Sequence, residues 1–451
     1  MKRGVLLLAG LAVLLVVAFV IVALVTRGDT ASGDRSLTVY LPFDEVGVYE
    51  KISADFLADN PGAKLTFKYI EAKDAKEYEA TVVNEIADGA GPDIWLVRSD
   101  WIPKHAAKSV PLPSLSNQPD PIAAAKGKLE PSIVDLNTFA GKLYGVPLFA
   151  DSLAVIYNLS LYNSALAATD EARQALGSFP KTWDVLKQQA TAVTQKRGSV
   201  ITRSGLALGT AETGYAPVDV LGAMLAQNGA SIFTEELDAV AFNLAQFKNG
   251  QSVFPATDAL SLFTSFARSG EPNYSWNNDL GSAVDAFKAQ QAGALVGYYS
   301  LVQELTKENL GFDLGVTALP QPSDATDRVD YGVSWSHIIS NQSPNAALAQ
   351  SYLYYLATDP VQASYSEQTT KISARPVSLT VPQFVVRNPS EFFTVFKAQF
   401  KTIRQLQKPE WQVVDEILQD AVKSVVNTGQ SIQAAVDSAA ARFKTLIPAD
   451  V

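Results

Sequence analysis

The sequence predicts an α/β fold of wound, mostly parallel sheets. Three observations carry this. From residue 37 onward, short extended segments alternate with amphipathic helical ones. One of those strands is apolar enough to be buried on both faces. The 451 residues suffice for two large domains or about three of ordinary size.

The elements follow in order. Leu37-Thr38-Val39-Tyr40-Leu41 alternates as a strand should, and Val48, Ile52 and Phe56 give residues 45–60 a helical stripe that Pro61 ends. Leu65, Phe67 and Tyr69 mark a second strand. Asp74 with Glu77 has the form of a capping box, opening a helix with Tyr78, Val82 and Ile86 on one face. Gly89-Ala90-Gly91-Pro92 stops it, and Asp93-Ile94-Trp95-Leu96-Val97 is the doubly buried strand. Strands separated by helices imply parallel units with right-handed crossovers, and ligands then sit beyond the strands' carboxyl ends. Those ends carry Phe43-Asp44, Ile70-Glu71 and Asp100-Trp101.

Further along, 153–158 reads as a strand, and Thr182 caps a helix with Trp183, Leu186, Ala190 and Val193 inward. Residues 206–209 and 293–297 read as short buried strands. Long helical patterns cover 345–358, 392–407 and 413–446, the last broken at Gly429.

Composition excludes much chemistry. With 36 Lys plus Arg against 46 Asp plus Glu, the formal charge of −10 argues against nucleic acid or an anionic lipid surface as partner. No cysteine means no disulfide, thiol nucleophile or iron–sulfur cluster. Two histidines, His105 and His337, cannot make a three-histidine zinc site. His105, in a helical segment after Pro103, reads as a surface residue. No Gly-x-Ser-x-Gly elbow, His-Glu-x-x-His helix or phosphate loop is present. The chain reads as a non-enzyme, with no cofactor and no metal.

Lys2-Arg3 precedes an uncharged run, 5–25, whose 21 residues span roughly 30 Å as a helix. The run is longer than the apolar core of a cleaved signal and lacks a small-x-small exit. It reads as an uncleaved anchor over 1–27, followed by a polar linker at 28–35. The positive-inside rule then places the bulk of the chain outside the cytoplasm, on the cell membrane.

Several weak motifs occur in one order. They are Gly91-Pro92-Asp93-Ile94-Trp95 with Asp100 and Trp101, and Tyr144-Gly145-Val146-Pro147 leading to Tyr157-Asn158. Pro180-Lys181-Thr182-Trp183-Asp184 and the run from Ala286 to Leu295 follow. Leu319-Pro320, Gly332-Val333-Ser334-Trp335 and the terminal helical pattern complete the set. Together they resemble the bacterial extracellular solute-binding proteins of ABC importers, in particular the maltose- and oligosaccharide-binding branch.

The resemblance implies a two-lobed clamp, each lobe a wound, mostly parallel sheet flanked by helices, with the N-terminal transmembrane helix in front. The chain would cross between lobes near 150–153, 333–337 and 373–376. Lobe 1 would be 36–150 with 337–372, and lobe 2 would be 151–336 with 373–447. The implied guest is a sugar or oligosaccharide, caught in the cleft as the hinge closes and handed to a membrane permease by a monomeric receptor. Polyols, glycerol phosphate and oligopeptide-like solutes stay open.

A sugar needs acceptors for its rim hydroxyls and flat rings for its C–H faces. The resemblance places Asp100 and Asp151 as acceptors; Asp44, beside Phe43 after the first strand, is a third candidate. Trp101, Tyr298, Tyr299 and Trp335 are the candidate rings, with Tyr274, Trp276 and Trp411 as further ones. Ser334 adjoins Trp335 at the second crossing. Arg375, at the third, could pair with a ligand acid or with Asp151. Three rivals remain: a tethered sensor ectodomain, a ferric-ion site built on Tyr298-Tyr299, and a glycoside hydrolase using Asp100 and Asp151.

Overall fold

The computed structural model describes residues 35–112, 121–166, 180–234, 237–248, 250–376, 385–386 and 389–447. The apolar run 5–25 lies outside them; among the described residues no helix is long and apolar enough to cross a membrane.

The first lobe starts as the alternation predicts. Strand β1 (Ser36–Leu41) leads to helices α1 (Val46–Ile52) and α2 (Ala54–Asp59). The single helix expected here is broken at Ser53, whose buried hydroxyl meets the Tyr352 hydroxyl at 2.7 Å. Strand β2 (Lys64–Tyr69) and helix α3 (Ala75–Ala87) follow, with the Asp74 side chain accepting from the Glu77 amide. Strand β3 (Ile94–Arg98) comes next. β1 pairs in parallel with both β2 and β3.

Strand β4 (Gly145–Asn158) begins eight residues earlier than expected. Gly145 and Pro147 look like turn residues in sequence, yet both lie inside a strand that runs through both lobes. Helix α4 (Trp183–Val193) is capped by Thr182 as expected, and α5 (Pro217–Asn228) follows. Residues 206–209 form no strand. Ala207 donates to the Ala294 carbonyl at 2.9 Å, but Gly209, at φ +111°, turns the chain away against Phe263 and Ala267. Strand β5 (Ala294–Tyr298), helix α6 (Tyr299–Lys307), strand β6 (Leu314–Ala318) and the second long strand, β7 (Asp330–Ser340), complete the sheet.

The second lobe corrects the expectation of a mostly parallel sheet. β5 and β6 both run antiparallel to β4, and β7 is antiparallel to β4 and to β3. A short strand apolar on both faces reads alike in either direction. Its direction here is set by β4 and β7 passing between lobes, which no local pattern records.

Helices α7 (Ala346–Leu356) and α8 (Asp359–Thr369) cover the first lobe. Helix α9 (Pro389–Gln399) stops well short of the expected 407. Thr402 donates to Asp330 at 2.7 Å, and Ile403-Arg404 pairs with β7 instead. Helices α10 (Trp411–Thr428) and α11 (Ile432–Phe443) flank Gly429, left-handed at φ 70°. Alternate residues of the strands enter different cores. Leu37, Val39, Ala154 and Ile156 join one; Leu153, Val155 and Tyr157 another; Tyr40, Trp95 and Val97 a third.

Candidate functional site

Three strands of chain lie side by side where the lobes join. Val333, Ser334 and Trp335 of β7 pair with Asp151, Ala150 and Phe149 of β4, and a register shift follows Trp335. On the other edge of β4, the Ala150 amide donates to the Ile372 carbonyl at 3.1 Å and Phe149 bridges to Ser373. Gly332 lets the crossings close up, since a Cβ there would meet the Asp151 carbonyl oxygen at 2.7 Å.

The first-lobe rim is aromatic and cationic. Phe43, after β1, stands edge-on to Trp335 at 5.2 Å and to Phe149 at 5.9 Å. The Lys371 ammonium lies 3.6 Å above the Phe43 ring and 4.2 Å from that of Phe149. It also meets the Glu45 carboxylate at 2.6 Å, which accepts from the Tyr365 hydroxyl at 2.6 Å. Burial pushes the Lys371 ammonium down, against the pull of Glu45. Asp44 is exposed beside this cage. Trp335 is half-buried and also touches Tyr78 and Trp101 edge-on.

At the end of β3 sits a charged cluster. Arg98 donates two bonds of 2.8 Å to Asp100 and two more, of 2.9 and 3.2 Å, to Asp219 in the first turn of α5. Tyr298 donates to Asp219 at 2.9 Å. Lys408, wholly buried, reaches Asp100 at 3.0 Å, Asp415 at 2.8 Å and Asp219 at 3.6 Å. Burial alone would raise the Asp100 carboxyl, but Arg98 and Lys408 hold it well below the usual carboxylate range. Beside the cluster, Trp101 and Trp411 stack face to face, 4.8 Å apart and 9° from parallel.

Asp151 faces the second lobe. Its carboxylate accepts from the amides of Ser152 and Tyr299 at 2.8 Å and of Ser300 at 3.0 Å, capping α6. Burial pushes it up to about 6, against those three donors. Burial pushes the Tyr215 hydroxyl up, and the nearby charges of Asp151, Glu304 and Asp219 add to this, while a hydrogen bond with Ser300 opposes it. The next residue, Ala216, is held left-handed at φ 42°, a strained turn from which α5 starts.

The structure thus gathers Asp44, Asp151, Tyr299 and Trp335 around one stretch of the lobe junction, and Asp100, Trp101 and Tyr298 around another. Trp101 is almost fully buried under Trp411. Ser334 is inside the hinge, its amide donating to Ser99 at 3.0 Å and its hydroxyl accepting from Asn137 at 2.9 Å. Arg375 pairs with Asp359 at 3.1 Å rather than with Asp151. Trp276 is buried, donating to Thr210 and Thr213 at 3.1 Å, and Tyr274 stacks under Lys196. Tyr298 and Tyr299 pack into opposite cores, so their oxygens do not converge on one ion.

His105 corrects the surface expectation. It is buried with Glu79 at 2.7 Å, because the acid on α3 faces inward. Five residues at the junction were missed: Arg98, Phe149, Tyr215, Asp219 and Lys371. Arg98 and Asp219 did leave a signal, as charges abutting otherwise apolar stretches.

Comparison with known proteins places this geometry. The profile of the family described as bacterial extracellular solute-binding protein matches residues 44–363. A binding protein of Brucella abortus (strain 2308) is 24% identical over 98% of this chain and 97% of its own length. The cyclic α-maltosyl-1,6-maltose binding protein of Arthrobacter globiformis superposes with a TM-score of 0.71 at 17% identity, covering 92% of this chain and 99% of that one. A solute-binding protein of Thermotoga lettingae bound with α-D-tagatose gives 0.61 at 17%, covering 92% and 100%.

Proposed function

The chain belongs to the bacterial extracellular solute-binding proteins, and from that premise we propose that it is the extracytoplasmic receptor of an ABC importer, taking a sugar or oligosaccharide between its lobes. The lobes are 36–150 with 337–372 and 151–336 with 373–447, turning about the junction at Gly332 and Trp335. The observation that carries the carbohydrate reading is the half-buried aromatic pair Phe43 and Trp335 at the lobe junction. Flat rings suit a sugar's C–H faces, while Asp44, Lys371 and Tyr215 suit its hydroxyls. Structural neighbours, one named for binding cyclic α-maltosyl-1,6-maltose and one bound with α-D-tagatose, support the class without selecting a member.

Asp100 and Tyr298 act at one remove in this reading: with Arg98 and Asp219 they set the shape and charge of the cleft wall. Asp151 holds α6 and thereby Tyr299 and Ser300. Contacts to both lobes favour the closed form, a shift between existing conformations. The closed form docks, as a monomer, on a membrane permease, and residues 5–25 tether it nearby. A thermal-shift screen of the full chain over a carbohydrate library tests the reading. A ligand bound only by the native state raises the melting temperature; a library in which no sugar does so removes carbohydrate as the solute.

A further inference from the structure

We infer that the solute is short, one or two sugar rings, because the protein's own side chains fill the end of the cleft beyond β3. The inference rests on the carbohydrate reading above and adds a length limit to it.

Three observations converge. The first is the face-to-face stack of Trp101 on Trp411, 4.8 Å between centroids. Each indole covers one face of the other, and Trp101 is almost fully buried besides. The second is the direct link between lobe rims: Arg98 of the first lobe is bonded twice to Asp219 of the second, over a fully buried Lys408. A saccharide passing between them would have to separate a desolvated ion pair and replace its hydrogen bonds, which hydroxyls do poorly. The third is the segment joining these groups. Ser99 donates to Gln405 at 2.6 Å, Lys104 to Gln412 at 2.5 Å, and Gln412 to Glu79 at 2.5 Å. Residues 405–412 therefore clasp the first lobe while α10 packs on the second.

The other stretch of the junction is built differently. Phe43, Trp335, Tyr215 and Tyr299 are half-buried and Asp44 is exposed. Lys371 lies over Phe43, Phe43 meets Trp335, and Trp335 is the strand partner of Arg98. At most two rings, Trp335 and the side of Phe43 not covered by Lys371, are left to stack one or two sugar residues. Trp411 and the Arg98–Asp219 pair are thus specificity determinants that work by exclusion.

The test is titration calorimetry of the full chain with α- and β-linked glucose, galactose and xylose series of one to four rings. The expected result is tightest binding at one or two rings, with no tightening at three or four. In Trp411→Ala, or in Asp219→Asn should that variant not fold, the third ring tightens binding relative to the same variant's disaccharide by about tenfold, the gain of one stacked ring. Tightening of about tenfold or more from disaccharide to tetrasaccharide in the unaltered protein overturns the inference and leaves the carbohydrate reading standing. Silence of every series removes the carbohydrate reading itself, and this inference with it.

Discussion

The guanidinium of Arg98 and the carboxylate of Asp219 meet at 2.9 Å, although one ends a strand of the first lobe and the other opens a helix of the second. Asp100 braces the same guanidinium, and Lys408 lies under all three. An ammonium wholly withdrawn from water is tolerated because Asp100 and Asp415 hold it charged against the pull of burial.

Lys408→Met follows from that arrangement. It leaves Asp100 and Asp219 with only Arg98 between them, and Asp415 with no cation. Breaking a buried pair from one side costs about 3–5 kcal/mol. Urea unfolding should show a loss of that order. A loss below about 1 kcal/mol, the range of surface pairs, would mean that the cluster is held by something other than this charge.

Trp335→Ala removes the ring that touches Phe43, Tyr78 and Trp101 together. The expected outcome is a loss of sugar affinity of about tenfold, one aromatic stack, while Trp335→Phe retains most of it. Calorimetry with the sugar found by the thermal-shift screen decides. Equal affinity in both variants and the parent would take Trp335 out of the site.

How much of this was legible in the sequence depends on whether the cause was local. Asp74 announced a helix start because its cap lies three residues away, and Gly429 announced a helix end because its left-handed turn is its own. Phe43-Asp44 and Asp100-Trp101 were readable as residues just past strand ends, because alternating strands and helices fix where those strands stop. Their detailed roles were not. Asp100 looks like a free acceptor until Lys408 is folded onto it. Trp101 looks like a stacking platform until Trp411 covers it. Lys371 carries no motif, and its cage of Phe43, Phe149 and Glu45 exists only once residues 372–373 lie beside β4.

Acid titration should separate two opposed groups. Asp151 is pushed up to about 6 in the fold from an unfolded value near 4 (about 3.9). Between those pH values the native state holds the extra proton, so this group's contribution to stability falls as pH rises. His337 is pushed down to about 4 by burial, donating to the Val146 carbonyl at 2.9 Å. There the unfolded state, titrating near 6.5, holds the extra proton, so stability rises with pH through the same window. Asp151→Asn should therefore steepen the rise of the urea midpoint between pH 4 and about 6, and His337→Gln should flatten it. The reverse pattern would mean that neither group titrates as its surroundings dictate.

The Lys371–Glu45 pair makes the last prediction. The ammonium is shared among a carboxylate at 2.6 Å and the faces of Phe43 and Phe149, next to the segment that pairs with β4 at Ile372 and Ser373. Lys371→Met keeps the length of the side chain and much of its apolar stem but leaves Glu45 with the Tyr365 hydroxyl as its remaining partner. Glu45→Gln leaves the ammonium over the rings without its counter-charge. Each single change should cost about 1–3 kcal/mol, the penalty for a buried charged group deprived of its partner. The double variant should cost less than the sum, because each change removes the group that the other leaves unpaired. A double-mutant cycle read by urea unfolding should return a coupling of about 1 kcal/mol or more. Strict additivity would show that the rings, not the carboxylate, hold Lys371 in place, since the cation–π contacts survive Glu45→Gln and are lost in Lys371→Met.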